Sequence, residues 1–342
     1  MGIVDSRRDK KIDILRFIAI TCIILAHSAP PGAIFQLRNF DVTLMVLLMG
    51  TSFYLSNTGK EIKYTSYLKK RFNRLVIPTW EFLTIFFVLF LIISLIMNVD
   101  YYFSLDDIIG SYTMFSGIGY VWIMKVFFIV AMISPFLLSF SEKVKDNKMY
   151  LLSLAIGYGI YTLFLLINHN FSGFGQKIFE EYFIQGIGYG LIAAIGIRLK
   201  KLTKKELVCA CLFFLVVFAS LMAWHHFDST QAFKYPPTMY YFSYGLFASI
   251  FLYLILDFKF VNKIFDNRFV YFISKTSLWL YFWHIIPIYL IKIFGDSLPL
   301  VSGNFVTRFI FLFVIALILT VLQEKIKSSR KGTRQKQMKR VA

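Results

Sequence analysis

Residues 11–28 read KIDILRFIAITCIILAHS. The stretch is apolar enough to lie in a bilayer, yet it holds Asp13, Arg16 and His27. Ionisable groups at membrane depth are costly and mark functional sites by default. Arg16 and His27 are eleven residues apart. On an α-helix that spacing leaves them about 20° apart around the axis and about 16 Å apart along it, so they share one face. Asp13, one turn before Arg16, is placed to pair with it. The plainer reading makes Asp13 and Arg16 a snorkelling pair at the interface and His27 a hydrogen-bonded residue at the outer edge.

The same texture recurs along the chain. Of 342 residues, 58% are hydrophobic, 19% aromatic and only 16% charged. Soluble domains are about 45–50% apolar and about 25% charged, so a soluble domain and a disordered chain are both excluded. The apolar runs are long and unbroken, unlike the short alternating segments of an outer-membrane barrel. The expected fold class is all-α, a polytopic helical membrane protein of about ten transmembrane helices. The spans are read at Ile12–Ser28, Phe40–Ser56, Val76–Met97, Gly119–Phe140, Tyr150–Asn168, Tyr182–Arg198, Leu207–His225, Tyr240–Asp257, Phe269–Ile291 and Phe305–Leu322. Asp13 and Arg16 interrupt the first run and nine more follow, so it reads as an uncleaved span rather than a signal peptide.

The net charge of +18 follows the loops. Cations cluster at Arg7–Lys11, Lys60–Arg74, Lys143–Lys148, Arg198–Lys205 and Lys259–Arg268, and in the tail KIKSSRKGTRQKQMKR. The alternate loops carry only Arg38, Lys177, Lys234 and Lys292. By the positive-inside rule both termini are cytosolic. The charge is thus an orientation signal and an attraction to anionic lipid, not a nucleic-acid footprint. The chain divides into a transmembrane domain at 1–325 and a basic cytosolic tail at 326–342.

Several further residues carry chemistry. Arg71 and Arg74 are three apart on one helical face at the cytosolic side, and two guanidiniums suit a phosphate; a solvated topology cluster is the plain alternative. Lys125 and His284 lie in the outer halves of their spans, with Pro287 placed to kink the helix after His284. Trp122 and Tyr240 belong to aromatic outer loops, either an interfacial belt or a platform for sugar rings. His169, His225, His226 and Asp228 lie at outer span ends, but adjacent histidines point to different helix faces, and no metal is expected. Cys22, Cys209 and Cys211 sit in apolar runs and form no CxxC, so neither zinc nor a disulfide is expected. GIGYG at Gly186–Gly190 reads as small-residue helix packing.

These residues carry a resemblance. KIDILRFIAITCIILAHS resembles the first span of the integral-membrane acyltransferase-3 family, with its Asp, Leu-Arg and a His about eleven residues on. YLKKRFNRLVIPTW (residues 67–80), WIMKVFFIVAMISP (122–135) and SLWLYFWHI (277–285) resemble later family segments, in the family's order. KYPPTMYYFSYG (234–245) is similar to a polysaccharide O-acetyltransferase, fucose 4-O-acetylase-like subgroup. One position departs: in LMVLLMGTSFYLS, Met49 stands where the family has Ser before Gly50.

The resemblance implies acetyl-CoA as a cytosolic donor substrate, with no permanently bound cofactor. It implies a carbohydrate hydroxyl as acceptor, in capsular or exopolysaccharide or its precursor, at a bacterial plasma membrane. Other polysaccharide-assembly membrane proteins are candidate partners. His27 and Arg16 are the expected catalytic residues, and Arg71 and Arg74 would hold CoA phosphates. Asp13, Lys125 and His284 would support, the last two as candidate oxyanion donors, with Trp122 and Tyr240 on the acceptor side. Direct transfer with His27 as base and a transient acetyl-His27 both fit. A transporter or flippase of a glycan or lipid-linked sugar would use buried charges and aromatic mouths equally well.

Overall fold

The computed structural model describes residues 9–168 and 172–341, with side chains up to residue 329. Arg7, Arg8, His169 and the side chains of the basic tail beyond residue 329 lie outside that description. Among the described residues the secondary structure is helical, apart from one isolated bridge between Lys234 and Pro237.

Every expected apolar segment holds a long helix: α1 (Lys10–Ala26), α2 (Asp41–Asn57), α3 (Tyr64–Met97), α4 (Trp122–Lys143), α5 (Asn147–Asn168), α6 (Gln185–Arg198), α7 (Lys204–Trp224), α8 (Met239–Ile255), α9 (Arg268–Trp283) and α10 (Phe305–Val341). Seven stretches are long and apolar enough to cross a membrane, or eight if the bent pair Met239–Ile255 and Lys259–Phe265 is one span. The protein is an all-α, polytopic membrane protein. α1 and α6 fall below that threshold for a physical reason. α1 has 17 residues and carries Lys10, Lys11, Asp13 and Arg16. α6 is reached through a short helix, Gly173–Ile178, and a π-helical turn, Phe179–Ile184, bearing Glu180 and Glu181. Both are too short to count as a span, at 17 and 14 residues, and α6 packs inward: it buries eleven of its residues, whereas in α5 and α7 only 11% of the apolar window is buried.

The centre is held by close backbone approach. A Cβ on Gly50 would lie 2.1 Å from the Ala193 carbonyl oxygen, and one on Gly196 would lie 2.1 Å from that of Leu47. α2 and α6 therefore touch backbone to backbone, as small residues permit in membranes. The Thr51 hydroxyl donates to the Gly196 carbonyl across the same crossing at 2.8 Å.

Ion pairs and caps gather the basic loops at one end. Lys10 pairs with Asp266, Lys11 with Asp257 and Lys200 with Asp9. Buried Arg198 donates to the carbonyls of Ser141, Val144 and Lys145 at the end of α4, which satisfies carbonyls that a helix end leaves without partners. At the opposite end, Gln36 and Asn39 bond Thr230, and Tyr289 bonds the Ile118 carbonyl. No break marks the expected boundary at residue 325, because α10 runs through it to Val341.

Candidate active site

A cavity of about 460 Å³ lies toward the basic end. Arg16, Arg71 and Arg74 all line it, with Lys275, Ser52, Ser274 and Met49. The packing of α1 and α3 brings the three arginines into one chamber. α1 supplies Arg16, held by Ser52 at 3.0 Å, Ser274 at 3.4 Å and Asp13 at 3.5 Å. Asp13 is buried and also accepts from Ser274 at 2.8 Å. The first turns of α3 supply Arg71, stacked over Tyr67 at 5.0 Å, and exposed Arg74. Guanidiniums from two helices, with Lys275 from a third, make a receptor for an anion with many oxygens.

Met49 lines this chamber beside Ser52. The hydroxyls that reach Arg16 come from Ser52, almost one turn further along α2, and from Ser274 on α9.

A second cavity of about 380 Å³ lies toward the opposite end and contains His27. His27 caps α1 just after its last residue, Ala26, and two residues on Ala29, before Pro30, leaves the helical conformation with a positive φ of 52°. Directly against it stands His284, fully buried at the end of α9. The helical run is interrupted there and resumes at Ile285–Phe294, where Pro287 has no N–H to give to Trp283. His27 Nδ1 and His284 Nε2 are 2.9 Å apart, with their rings stacked.

The partners assign the tautomers. His284 Nδ1 contacts the Tyr281 carbonyl, which only accepts, so Nδ1 carries the proton. In the neutral ring His284 Nε2 is then an acceptor, and His27 Nδ1 must donate to it. His27 Nε2 is left with its lone pair. That atom has the character of a base. Both nitrogens of His284 are engaged, so it offers no N–H to an oxyanion and instead orients His27.

The two chambers meet end to end. The residues lining both are Ile23, Ile123 and Tyr281. Tyr281 is tied at both ends, by its carbonyl to His284 and by its hydroxyl to the Tyr120 carbonyl. The wall between the chambers and the histidine pair therefore share one turn of α9.

Other expected residues lie elsewhere. Lys125 pairs with Glu181, on the π-helical turn, at 2.6 Å. It lines a third cavity of about 430 Å³ beside the second, so it is not placed at His27 as an oxyanion donor. Trp122 lines both of these outer cavities. Tyr240 lines none of the three: it is buried, donates to the Asp228 carbonyl at 2.8 Å and stacks on Phe218 and His225. Its ring supports the loop rather than facing the chamber. Among the described residues no group of three or more His, Cys, Asp or Glu side chains could hold a metal ion.

Arg38, Asp41 and Lys234 are site residues that the sequence motifs did not single out. All three are buried and line the second cavity. Asp41 receives Arg38 at 2.9 Å and Lys234 at 3.5 Å. Burial draws the Lys234 ammonium below the ordinary lysine pKa; Asp41 opposes that pull and Arg38 adds to it. One signal was available: Arg38, Lys234 and Lys292 are cations in loops that otherwise hold almost none.

The protein is thus an all-α membrane bundle with a many-cation chamber at one end and a buried histidine pair beside a second chamber at the other. A family model described as an acyltransferase domain, of the acyltransferase-3 type, matches residues 9–323. The chain belongs to the acyltransferase-3 family and is an acyltransferase. No curated protein and no solved structure matches it.

Proposed function

We propose that the protein transfers an acetyl group from cytosolic acetyl-CoA to a hydroxyl of an exported carbohydrate at the far face of the membrane. The observation that carries this reading is the pair of chambers meeting at Ile23, Ile123 and Tyr281, with Arg16, Arg71 and Arg74 in one and His27 in the other. The basic-loop end is the cytosolic one by the positive-inside rule. CoA phosphates bind there, and the thin pantetheine arm runs toward the wall.

Transfer then needs a base, because a neutral hydroxyl is a poor nucleophile. His27 Nε2 takes the hydroxyl proton as the oxygen attacks the thioester carbonyl. The carbon–oxygen bond forms, the carbon–sulfur bond breaks, and the CoA thiolate recovers that proton from His27. The products are the O-acetyl ester and free CoA, with atoms and charge balanced. His284 holds the His27 ring in the tautomer the step requires.

The test uses purified protein in oriented vesicles, with labelled acetyl-CoA on the basic-loop face and a glycan acceptor on the other. Label should appear as an ester on the glycan, and His27→Ala should abolish it while the protein still inserts. Transfer only when both substrates share the basic-loop face would overturn the through-membrane arrangement.

A further inference from the structure

The second chamber has an uneven charge. Arg38, Lys234 and Lys292 line it, with Asp41 as the carboxylate among its lining residues. Three cations against one anion leave a formal excess of two positive charges. Two of those cations are taken out of water: Arg38 is 4% exposed and Lys234 3%, and they share one carboxylate. A buried charge without full compensation is costly. Arg38 Nε and Gln231 Oε1 are buried with no hydrogen-bond partner among the described residues, and Gln231 also lines the chamber.

The location sharpens the question. Loops at this end of the bundle are depleted of Lys and Arg, as the positive-inside rule demands. Of the four cations they retain, three meet in one cavity. Lys292 is exposed at the mouth, over the rings of Tyr120 and Tyr289 at 5.3 and 4.6 Å. Topology cannot account for cations concentrated against the rule, whereas an anionic ligand would supply the missing charge. The neighbouring cation Lys125 is already matched by Glu181 in the third cavity. His27 lines the same chamber, so a ligand anchored on these cations brings its other groups to the base.

We propose that the second chamber selects a carbohydrate acceptor bearing an oxyanion, a carboxylate or a phosphate ester, held by Arg38, Lys234 and Lys292 while a nearby hydroxyl lies at His27. Arg38 offers Nε and its remaining fork to the oxyanion, and Gln231 is placed to meet a sugar hydroxyl. Lys292 captures the anion at the mouth. The proposal rests on the acetyl-transfer reading for the role of the hydroxyl, but the anion site stands on its own geometry.

Trp122 lines the chamber, so tryptophan fluorescence of the purified protein can report binding without any reaction. Three probes serve: a neutral disaccharide, its uronic acid counterpart and its phosphorylated counterpart. At least one anionic probe should bind about tenfold or more tighter than the neutral one, with affinity falling as salt rises. The tighter of the two identifies the oxyanion as carboxylate or phosphate. Lys292→Glu and Arg38→Gln should each bring the ratio of anionic to neutral affinity toward one. Lys292→Glu lies on the exposed mouth and keeps the inference testable if Arg38→Gln does not fold. Equal binding of all three probes, or a preference that survives Lys292→Glu, would overturn the proposal. Acetylation of the same probes is measured in parallel. Discrimination in binding with no transfer to any probe would sink the acetyl-transfer reading and leave the anion site supported.

Discussion

The histidine pair gives the sharpest quantitative expectation. His284 is fully buried, and its Nε2 accepts from His27 Nδ1 at 2.9 Å. In His284→Leu the acceptor is gone and volume is roughly kept. His27 then loses one hydrogen bond, worth about 0.5–1.5 kcal/mol net, and its ring is free to carry the proton on Nε2 instead. At about 1.4 kcal/mol per tenfold, kcat should fall about two- to tenfold. His284→Gln places an amide oxygen near the former Nε2 position and should recover most of that loss. His27→Ala removes the base itself, at about 10²–10⁴-fold. The assay is initial rate of labelled acetyl transfer at saturating donor and acceptor, with thermal unfolding in detergent to confirm that each variant is folded. KM for both substrates should stay near the parent value. If His284→Leu loses as much as His27→Ala, His284 is itself the base and the tautomer argument fails. If Leu and Gln are equally damaged, His284 only fills space.

Arg71→Ala and Arg74→Ala should each raise the KM for acetyl-CoA about tenfold, the loss of one charge-assisted contact. Lys at either position should restore only part, since an ammonium cannot form the bidentate fork; unchanged donor KM in both alanine variants would reduce the pair to an orientation signal. Ser52→Ala should impair donor use several-fold, whereas Met49→Ser should change it little, because Ser52 already supplies a hydroxyl on Arg16; steady-state kinetics in acetyl-CoA separates the two, and the reverse ranking would contradict the assignment. Trp122→Ala should raise acceptor KM, while Tyr240→Phe should lower the unfolding temperature and leave acceptor KM alone, as expected for a ring that braces Asp228; an acceptor effect from Tyr240→Phe would return that ring to the chamber.

Periodicity along one helix was readable in the sequence, and so was the order of the helices. The eleven-residue step from Arg16 to His27 placed both on one face, and the structure puts them in adjoining chambers. The apolar runs located every long helix, including α1 and α6, which are too short to count as spans on their own. The histidine pairing was not readable, because 257 residues separate its members and only the packing of α1 on α9 joins them. Tyr240 misled for a related reason. An aromatic loop reads the same whether its rings face a chamber or brace the loop, and hydrogen bonding to Asp228 decides which. Arg38 and Lys234 were visible as isolated cations, but their meeting on Asp41 required the loop before α8 to fold back over the start of α2.

The wall of Ile23, Ile123 and Tyr281 has a consequence beyond group transfer. Each chamber holds several cationic groups, and a chamber reaching either membrane face admits water. Were the two continuous, the bundle would be a wetted bore through an insulating layer. A membrane potential of about 100 mV does about 2.3 kcal/mol of work on each unit charge that crosses, so such a bore would drain an energised cell whether or not any acetyl group moved. Two isoleucines and one tethered tyrosine stand where the chambers meet, so electrical insulation falls to them. Conductance across a planar bilayer would measure that separation directly, in a variant such as Ile123→Ala beside the parent.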